Sequence, residues 1–155
     1  MKTLEGNFVA TDKKIAIVVA RWNYFVVEKL LDGAVDCYTR HGGDDANITV
    51  VYCPGCYEIP LVTKRLAQSD KYHGIITLGA VIRGATPHFD YVASEVSKGV
   101  AQVSMETGVP CIFGVLTTDS IEQAVERSGT KSGNKGFDAM MAALEMTSLF
   151  EKIGQ

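Results

Sequence analysis

GIITLGAVIRGATPH, residues 74–88, decides the fold. Its first nine residues form an apolar, strand-like run. The run then breaks into Arg83-Gly84-Ala85-Thr86-Pro87-His88, where Thr86 suits a helix N-cap and Pro87 the first helical position. Phe89, Val92, Val96, Val100 and Val103 continue as the apolar stripe of a long helix. The same grammar repeats outward in both directions. KIAIVVA (14–20) reads as a strand covered on both faces, Asn23 offers a cap, and an amphipathic helix runs to about His41 before Gly42-Gly43. NITVVYC (47–53) is a second strand, and residues 60–68 form a short helix. VPCIFGVLT (109–117) is a fourth strand, and Asp119 with Glu122 suggests a capping box for a helix ending near Arg127. A last helix spans about 137–152 after a polar, glycine-rich loop, with Met140, Met141 and Leu144 turned inward. Four strands, each followed by a helix, predict right-handed crossovers and a four-stranded parallel sheet between two helical layers. Residues 1–155 read as one domain.

Bulk properties exclude several functions. The chain has 155 residues, a net charge of −3 and 21% charged residues. It has no lysine- and arginine-rich run, which argues against nucleic acid and anionic membrane as partners. Glu5 and Gly6 stand where a signal peptide needs an apolar core, so a cytoplasmic protein with reduced thiols is expected. The four cysteines do not form two close pairs, and the three histidines lack ligand spacing, so no metal is expected. Cys37 lies on the apolar face of a helix and Cys111 in a strand, both as small core residues. The exception is Cys53-Pro54-Gly55-Cys56, a C-x-x-C placed where a thiol–disulfide enzyme keeps its redox pair.

In parallel α/β sheets, ligands bind beyond the carboxyl ends of the strands. That rule selects residues 21–23, 54–58, 83–88 and 113–119. The 83–88 loop and the helix start behind it could hold a phosphate, with free N–H groups and a helix dipole aimed outward, or could be a plain capped helix. A neutral His88 beside a bound phosphate could take and return protons, though a lone histidine is usually a solvated one. Glu58 could accept hydrogen bonds from a polyol or a uracil-type N–H, or merely favour a helix dipole. Trp22, Tyr57 and Phe113 sit near three strand ends and could stack on a flat heteroaromatic ring. Arg127 and Lys135 are cations near the glycine-rich loop, and a guanidinium is the best clamp for a phosphate dianion. The Walker, G-x-S-x-G and G-x-G-x-x-G patterns are absent.

LGAVIRGATPHFDYV (78–92), RWN (21–23), PGCYEIP (54–60), FGVLTTD (113–119) and EQAVERSGTKSGNKG (122–136) together resemble the signature of the lumazine synthases, in order and over nearly the whole chain. The resemblance implies a flavodoxin-like fold. It also implies a transferase that condenses 5-amino-6-(D-ribitylamino)uracil with L-3,4-dihydroxy-2-butanone 4-phosphate, without metal or cofactor, in riboflavin biosynthesis. Trp22 would stack on the pyrimidine. Cys56, Tyr57 and Glu58 would line the ribityl side, and Ala80, Val81 and Ile82 would offer backbone groups to the heterocycle. Gly84, Ala85 and Thr86 would hold the phosphate with Arg127, and His88 would shuttle protons. Phe113, Arg127 and Lys135 would come from a neighbouring subunit. An N-terminal arm, residues 1–12, would add a strand around Leu4–Phe8 to a neighbour's sheet and cover its edge. The family forms pentamers, some packed into icosahedral shells, and the short Ser128–Gly133 loop leans toward a shell. Riboflavin synthase is the pathway partner to expect.

Two departures stand out. Cysteines occupy positions 53 and 56, where small or apolar residues are usual, and Trp22 replaces the more usual phenylalanine. The pair reads as substituted small residues rather than a redox device, although a disulfide there would distort the turn that aims Glu58. The larger indole extends the expectation to riboflavin binding. The competing readings are a flavin carrier or shell protein without catalysis, and a C-x-x-C oxidoreductase with a thiol of lowered pKa.

Overall fold

The computed structural model describes residues 1–131 and 133–154; Ser132 and Gln155, the latter the final residue of the expected domain, lie outside the described residues. Four strands form the sheet: β1 (Ile15–Ala20), β2 (Ile48–Cys53), β3 (Gly74–Ile82) and β4 (Cys111–Thr118). Five helices connect and flank them: α1 (Tyr24–Arg40), α2 (Ile59–Ala67), α3 (His88–Thr107), α4 (Ile121–Arg127) and α5 (Lys135–Ile153). The sheet order is β2-β1-β3-β4 and every pairing is parallel.

Alternation along each strand sorts the side chains into two layers. Ile15, Ile17 and Val19 of β1 join Ile76 and Leu78 of β3 under α1 and α5, against Leu30, Met140 and Leu144. Ala16, Val18 and Ala20 join Ile75, Val81 and Val115 under α2 and α3, against Ile59, Val96 and Val100. All six residues of β1 are buried, as its continuous apolar run predicts. Each such Ile, Val or Leu contributes roughly 1.5–3 kcal/mol of apolar burial. β2 and β4 are the two edge strands, and on β2 Val50 and Tyr52 remain exposed.

The helix starts differ from the sequence-based expectation in an informative way. Thr86 does not cap α3. Pro87 occupies the cap position at φ −69°, and the helix begins at His88. The capping box before α4 lies one residue later than predicted: Ser120 Oγ accepts from Gln123 N at 3.2 Å, and Gln123 Oε1 accepts from Asp119 N at 2.8 Å. Asp119 is thereby left for Arg83, whose Nε donates to it at 2.9 Å. α5 starts two residues earlier than its apolar pattern suggests, because Asn134 Oδ1 accepts from both Gly136 N and Phe137 N. The Asn134 carboxamide also donates to Lys29 O at 2.8 Å and Ser128 O at 3.1 Å, tying α5 to α1 and to the end of α4.

The N-terminal residues form no helix or strand within the chain. They run along α5: Asn7 N donates to Ser148 Oγ at 2.8 Å, and Lys152 Nζ donates to Glu5 O at 2.7 Å. Lys13 pairs with Glu151.

Where α1 meets α5, Gly136 touches the Leu30 backbone so closely that a Cβ would overlap the carbonyl oxygen. Backbone on both sides leaves nothing flexible to yield. Gly136→Ala is expected to cost about 2–3 kcal/mol of stability, read as a lowered urea midpoint with an unchanged slope. A midpoint equal to that of the unaltered protein would contradict this packing.

Candidate active site

A crevice of about 450 Å³ opens beyond the carboxyl ends of the strands. It sits between β1 and β3, where the strand order reverses direction, the place such sheets bind ligands. Trp22 and Asn23 follow β1, Cys56, Tyr57 and Glu58 follow β2, and Ala80, Val81 and Ile82 end β3. His88, Tyr91 and Val92 close it from α3. These eleven residues come from four separate stretches, 22–23, 56–58, 80–82 and 88–92, which the sheet and α3 bring together.

Three local features shape the crevice. First, the β1–β2 ladder continues past the strands: Arg21 N donates to Cys53 O at 3.0 Å and Trp22 N to Pro54 O at 3.2 Å. This fixes Trp22 beside the Pro54-Gly55 turn. A Cβ on Gly55 would lie 3.0 Å from the Trp22 ring and 3.1 Å from Glu58 Oε2, so glycine lets the indole and the carboxylate converge there. Trp22 is nonetheless 65% exposed, an open stacking face.

Second, β3 outruns β1. The last paired residues are Val19 and Leu78, and β3 continues to Ile82. Odd-numbered residues of β3 turn their backbone groups toward β4, as Ile75 N to Pro110 O and Arg83 N to Thr118 O show, both at 2.8 Å. Even-numbered residues therefore face the β1 side, which is empty past Ala20. Ala80 O is taken by Asn23 Nδ2 at 2.9 Å. Of the three residues expected to offer backbone groups, Ile82 is the one whose N–H and C=O both face the crevice without β1 opposite.

Third, the 84–88 loop is slim and exposed, and a Cβ at Gly84 would meet nothing within 4 Å. At the start of α3 Asp90 N donates to Pro87 O at 3.0 Å, and the N–H groups of His88 and Phe89 lie ahead of the intrahelical ladder. Asp90 in that turn would repel an anion, but Arg83 Nη1 binds it at 3.2 Å while the same guanidinium stacks 4.2 Å over Phe89. Arg83 is therefore committed to the two carboxylates, Asp90 and Asp119, and not free to clamp a phosphate.

Three expected site residues lie outside this crevice. Phe113 is the third residue of β4, paired with Thr77, and is not at a strand end. Its ring lines a separate depression with Phe89, Ala93, Ser94, Ser97 and Thr117, so it cannot stack with Trp22 and Tyr57 in one chain. Arg127 ends α4 and Lys135 begins α5; both are exposed and neither forms an ion pair among the described residues. Sequence reading selected Asn23 within the 21–23 strand end but gave its side chain to a helix cap, and it missed Tyr91 and Val92 as crevice walls. The helical spacing from His88 to Tyr91 places both on one face, and that signal was available.

The C-x-x-C is reduced and buried. Cys56 packs under the crevice floor, where a Cβ on Gly79 would lie 2.5 Å from its sulfur. Burial, then the neighbouring Cys53, pushes the Cys56 thiol up to about 12; burial, then Glu58, pushes Cys53 up to about 11. A redox pair needs the opposite shift. Burial likewise raises Cys37 and Cys111 to about 11. Among the described residues, no three His, Cys, Asp or Glu side chains gather as a metal site would, and no helix is long and apolar enough to cross a membrane.

Fold and crevice together define an α/β protein of the flavodoxin-like type, with a crevice lined by Trp22, Tyr57, Glu58 and His88 at the carboxyl ends of its strands. The 6,7-dimethyl-8-ribityllumazine synthase family model matches residues 12–151, and the chain belongs to that family. It is 59% identical over 153 residues to the 6,7-dimethyl-8-ribityllumazine synthase of Clostridium kluyveri and 56% identical over 153 residues to that of Chlorobium luteolum, with 99% of each chain covered in both cases. The Chlorobium phaeovibrioides protein of the same name is 55% identical over 150 residues, covering 97% of each chain.

Because the thiols are held protonated, activity is expected to be the same with and without reductant. Clear loss on oxidation, restored by dithiothreitol, would contradict this. The raised thiol pKa values also set a pH window. Folded cysteines keep protons that unfolded ones release above about pH 9, so stability should be flat in this respect below pH 9 and decline above it. Urea midpoints between pH 8 and pH 10.5 would show the decline, and it should be shallower in Cys56→Ala.

Proposed function

We propose that this crevice, completed by residues of a neighbouring copy, is where the chain performs its family's reaction. The protein is a transferase of riboflavin biosynthesis that acts on small molecules. It condenses 5-amino-6-(D-ribitylamino)uracil with L-3,4-dihydroxy-2-butanone 4-phosphate to give 6,7-dimethyl-8-ribityllumazine, phosphate and water. The observation that carries the site assignment is the convergence of Trp22, Glu58, the free Ile82 edge and His88 on one crevice at the reversal of strand order.

In this reading the pyrimidine lies on the Trp22 indole, with its amide edge on the Ile82 backbone. Tyr57 walls the ribityl chain, Cys56 floors it, and Glu58 accepts from its hydroxyls. The phosphate sits at Gly84, Ala85 and Thr86, at the positive end of α3. The pyrimidine amine attacks the ketone carbon to form a Schiff base with loss of water. Phosphate then leaves as the C–O bond breaks and a proton is lost from the adjacent carbon; the resulting enol tautomerises to a ketone, and the ribityl nitrogen attacks that carbonyl and closes the second ring with loss of a second water. His88, the first residue of α3, moves protons between the nitrogen being substituted and the departing phosphate. Holding both substrates in contact supplies much of the rate, since proximity alone can be worth about 7–11 kcal/mol of barrier.

A phosphate dianion needs a cation, and Arg83 is committed to Asp90 and Asp119. Arg127 fills the role from a neighbouring copy, with Lys135 and Phe113 arriving on the same surface. That arrangement supports a cyclic oligomer, a pentamer by family resemblance, with the short Ser128–Gly133 loop favouring a shell of pentamers; Ser132 of that loop lies outside the described residues. The N-terminal arm, residues 1–12 of a single domain, would then pair with the open β2 edge of the next copy, where Val50 and Tyr52 are uncovered.

Mixing both substrates and following lumazine absorbance tests the reaction directly. Arg127→Ala is expected to raise KM for the phosphorylated ketone at least tenfold, with a smaller change for the pyrimidine. His88→Ala is expected to lower kcat roughly ten- to hundredfold without abolishing turnover, because positioning survives. An Arg127→Ala protein that binds the phosphorylated ketone normally would remove Arg127 from the site.

A further inference from the structure

Asn23 behaves unlike a helix cap. It occupies the cap position of α1, yet its side chain makes no capping bond and its backbone is left-handed, at φ 59° and ψ 38°. Asparagine tolerates that conformation better than most residues. Its carbonyl still opens the helix, accepting from Val26 N at 3.0 Å. The carboxamide, which could have satisfied an N–H of its own helix, crosses instead to the end of β3. There it donates to Ala80 O at 2.9 Å in a half-buried bond.

Two consequences follow from this single bond. It supplies the partner that β1 would have given Ala80 O had β1 been longer, on the edge of β3 opposite the β4 pairing that runs on to Ile82. It also anchors the residue next to Trp22, whose backbone N–H is bonded to Pro54 O at 3.2 Å and whose ring lies beside Gly55. One side chain thus sets the distance between the indole face and the backbone edge of Ile82, the two surfaces between which a flat ring would lie.

Resting on the functional reading above, we propose that Asn23 is a positioning residue for the pyrimidine substrate: by bonding Ala80 O from a left-handed backbone it fixes the separation of Trp22 and Ile82. Asn23 acts through those two groups and not on the reacting atoms.

The chain contains one tryptophan, so Trp22 reports on itself. Two variants separate backbone from side chain. Asn23→Gly keeps the left-handed conformation easy and deletes the carboxamide. Asn23→Asp keeps size and conformation but sets a carboxylate oxygen against the Ala80 oxygen. In the ligand-free protein, both are expected to change acrylamide quenching of Trp22 at least 1.5-fold. Both should raise KM for 5-amino-6-(D-ribitylamino)uracil roughly five- to twentyfold, while kcat and KM for the phosphorylated ketone move less than threefold. Unaltered quenching and KM in Asn23→Asp would overturn the proposal, as would equal rises in both KM values, which general disruption of the site produces. If Asn23→Asp fails to fold, Asn23→Gly decides alone by the same two readouts. An unaltered protein that forms no lumazine would defeat the functional reading instead, and the positioning claim with it only if quenching is also unchanged.

Discussion

The site depends on a mismatch in strand length. β1 stops at Ala20, whereas β3 runs on to Ile82, so the central neighbour of β3 is missing over its last turns of pleat. In a parallel sheet both edges of a central strand are normally paired, and a buried unpaired backbone group costs about 1–3 kcal/mol. Here the unpaired edge faces solvent at the crevice instead of the core. Asn23 answers for Ala80, and Ile82 is left as a donor and acceptor side by side. That is the hydrogen-bonding pattern of a strand, offered to whatever presents an amide-like edge. A uracil ring presents one, and a sugar or a simple carboxylate does not.

Everything else about the crevice is arranged around that edge. The continued β1–β2 ladder holds Trp22 over it, Gly55 makes room for the indole beside Glu58, and α3 brings His88 and its first-turn dipole to the far side. The electrostatics divide in the same way. Arg83, at the start of the loop before α3, is paired with Asp90 and Asp119.

The fold was legible because its signals are local and redundant. Each strand is an apolar run rich in β-branched residues, and the long helices carry an apolar stripe, so the four βα units could be read within about two residues of their observed limits. What failed was the chemistry of helix starts. Thr86, Asn23 and Asp119 all have side chains suited to capping, and none caps. Asn23 and Asp119 are bonded instead to residues 57 and 36 positions away, and long-range partners of that kind leave no trace in spacing. The site was legible in part. Trp22, Glu58 and His88 follow from the strand-end rule, whereas Phe113 was placed at a strand end that lies five residues further on. The C-x-x-C misleads because its spacing says nothing about burial. Its thiols are packed under Gly79 and the crevice floor, and only the structure shows that.

The measurement that bears most directly on the overhanging strand is a crystal structure of the protein with 6,7-dimethyl-8-ribityllumazine bound. The account predicts the ring stacked on Trp22, with the Ile82 N–H donating to it at about 2.9–3.1 Å and the ribityl hydroxyls on Glu58. A product ring bound elsewhere, with the Ile82 amide still facing solvent, would contradict it.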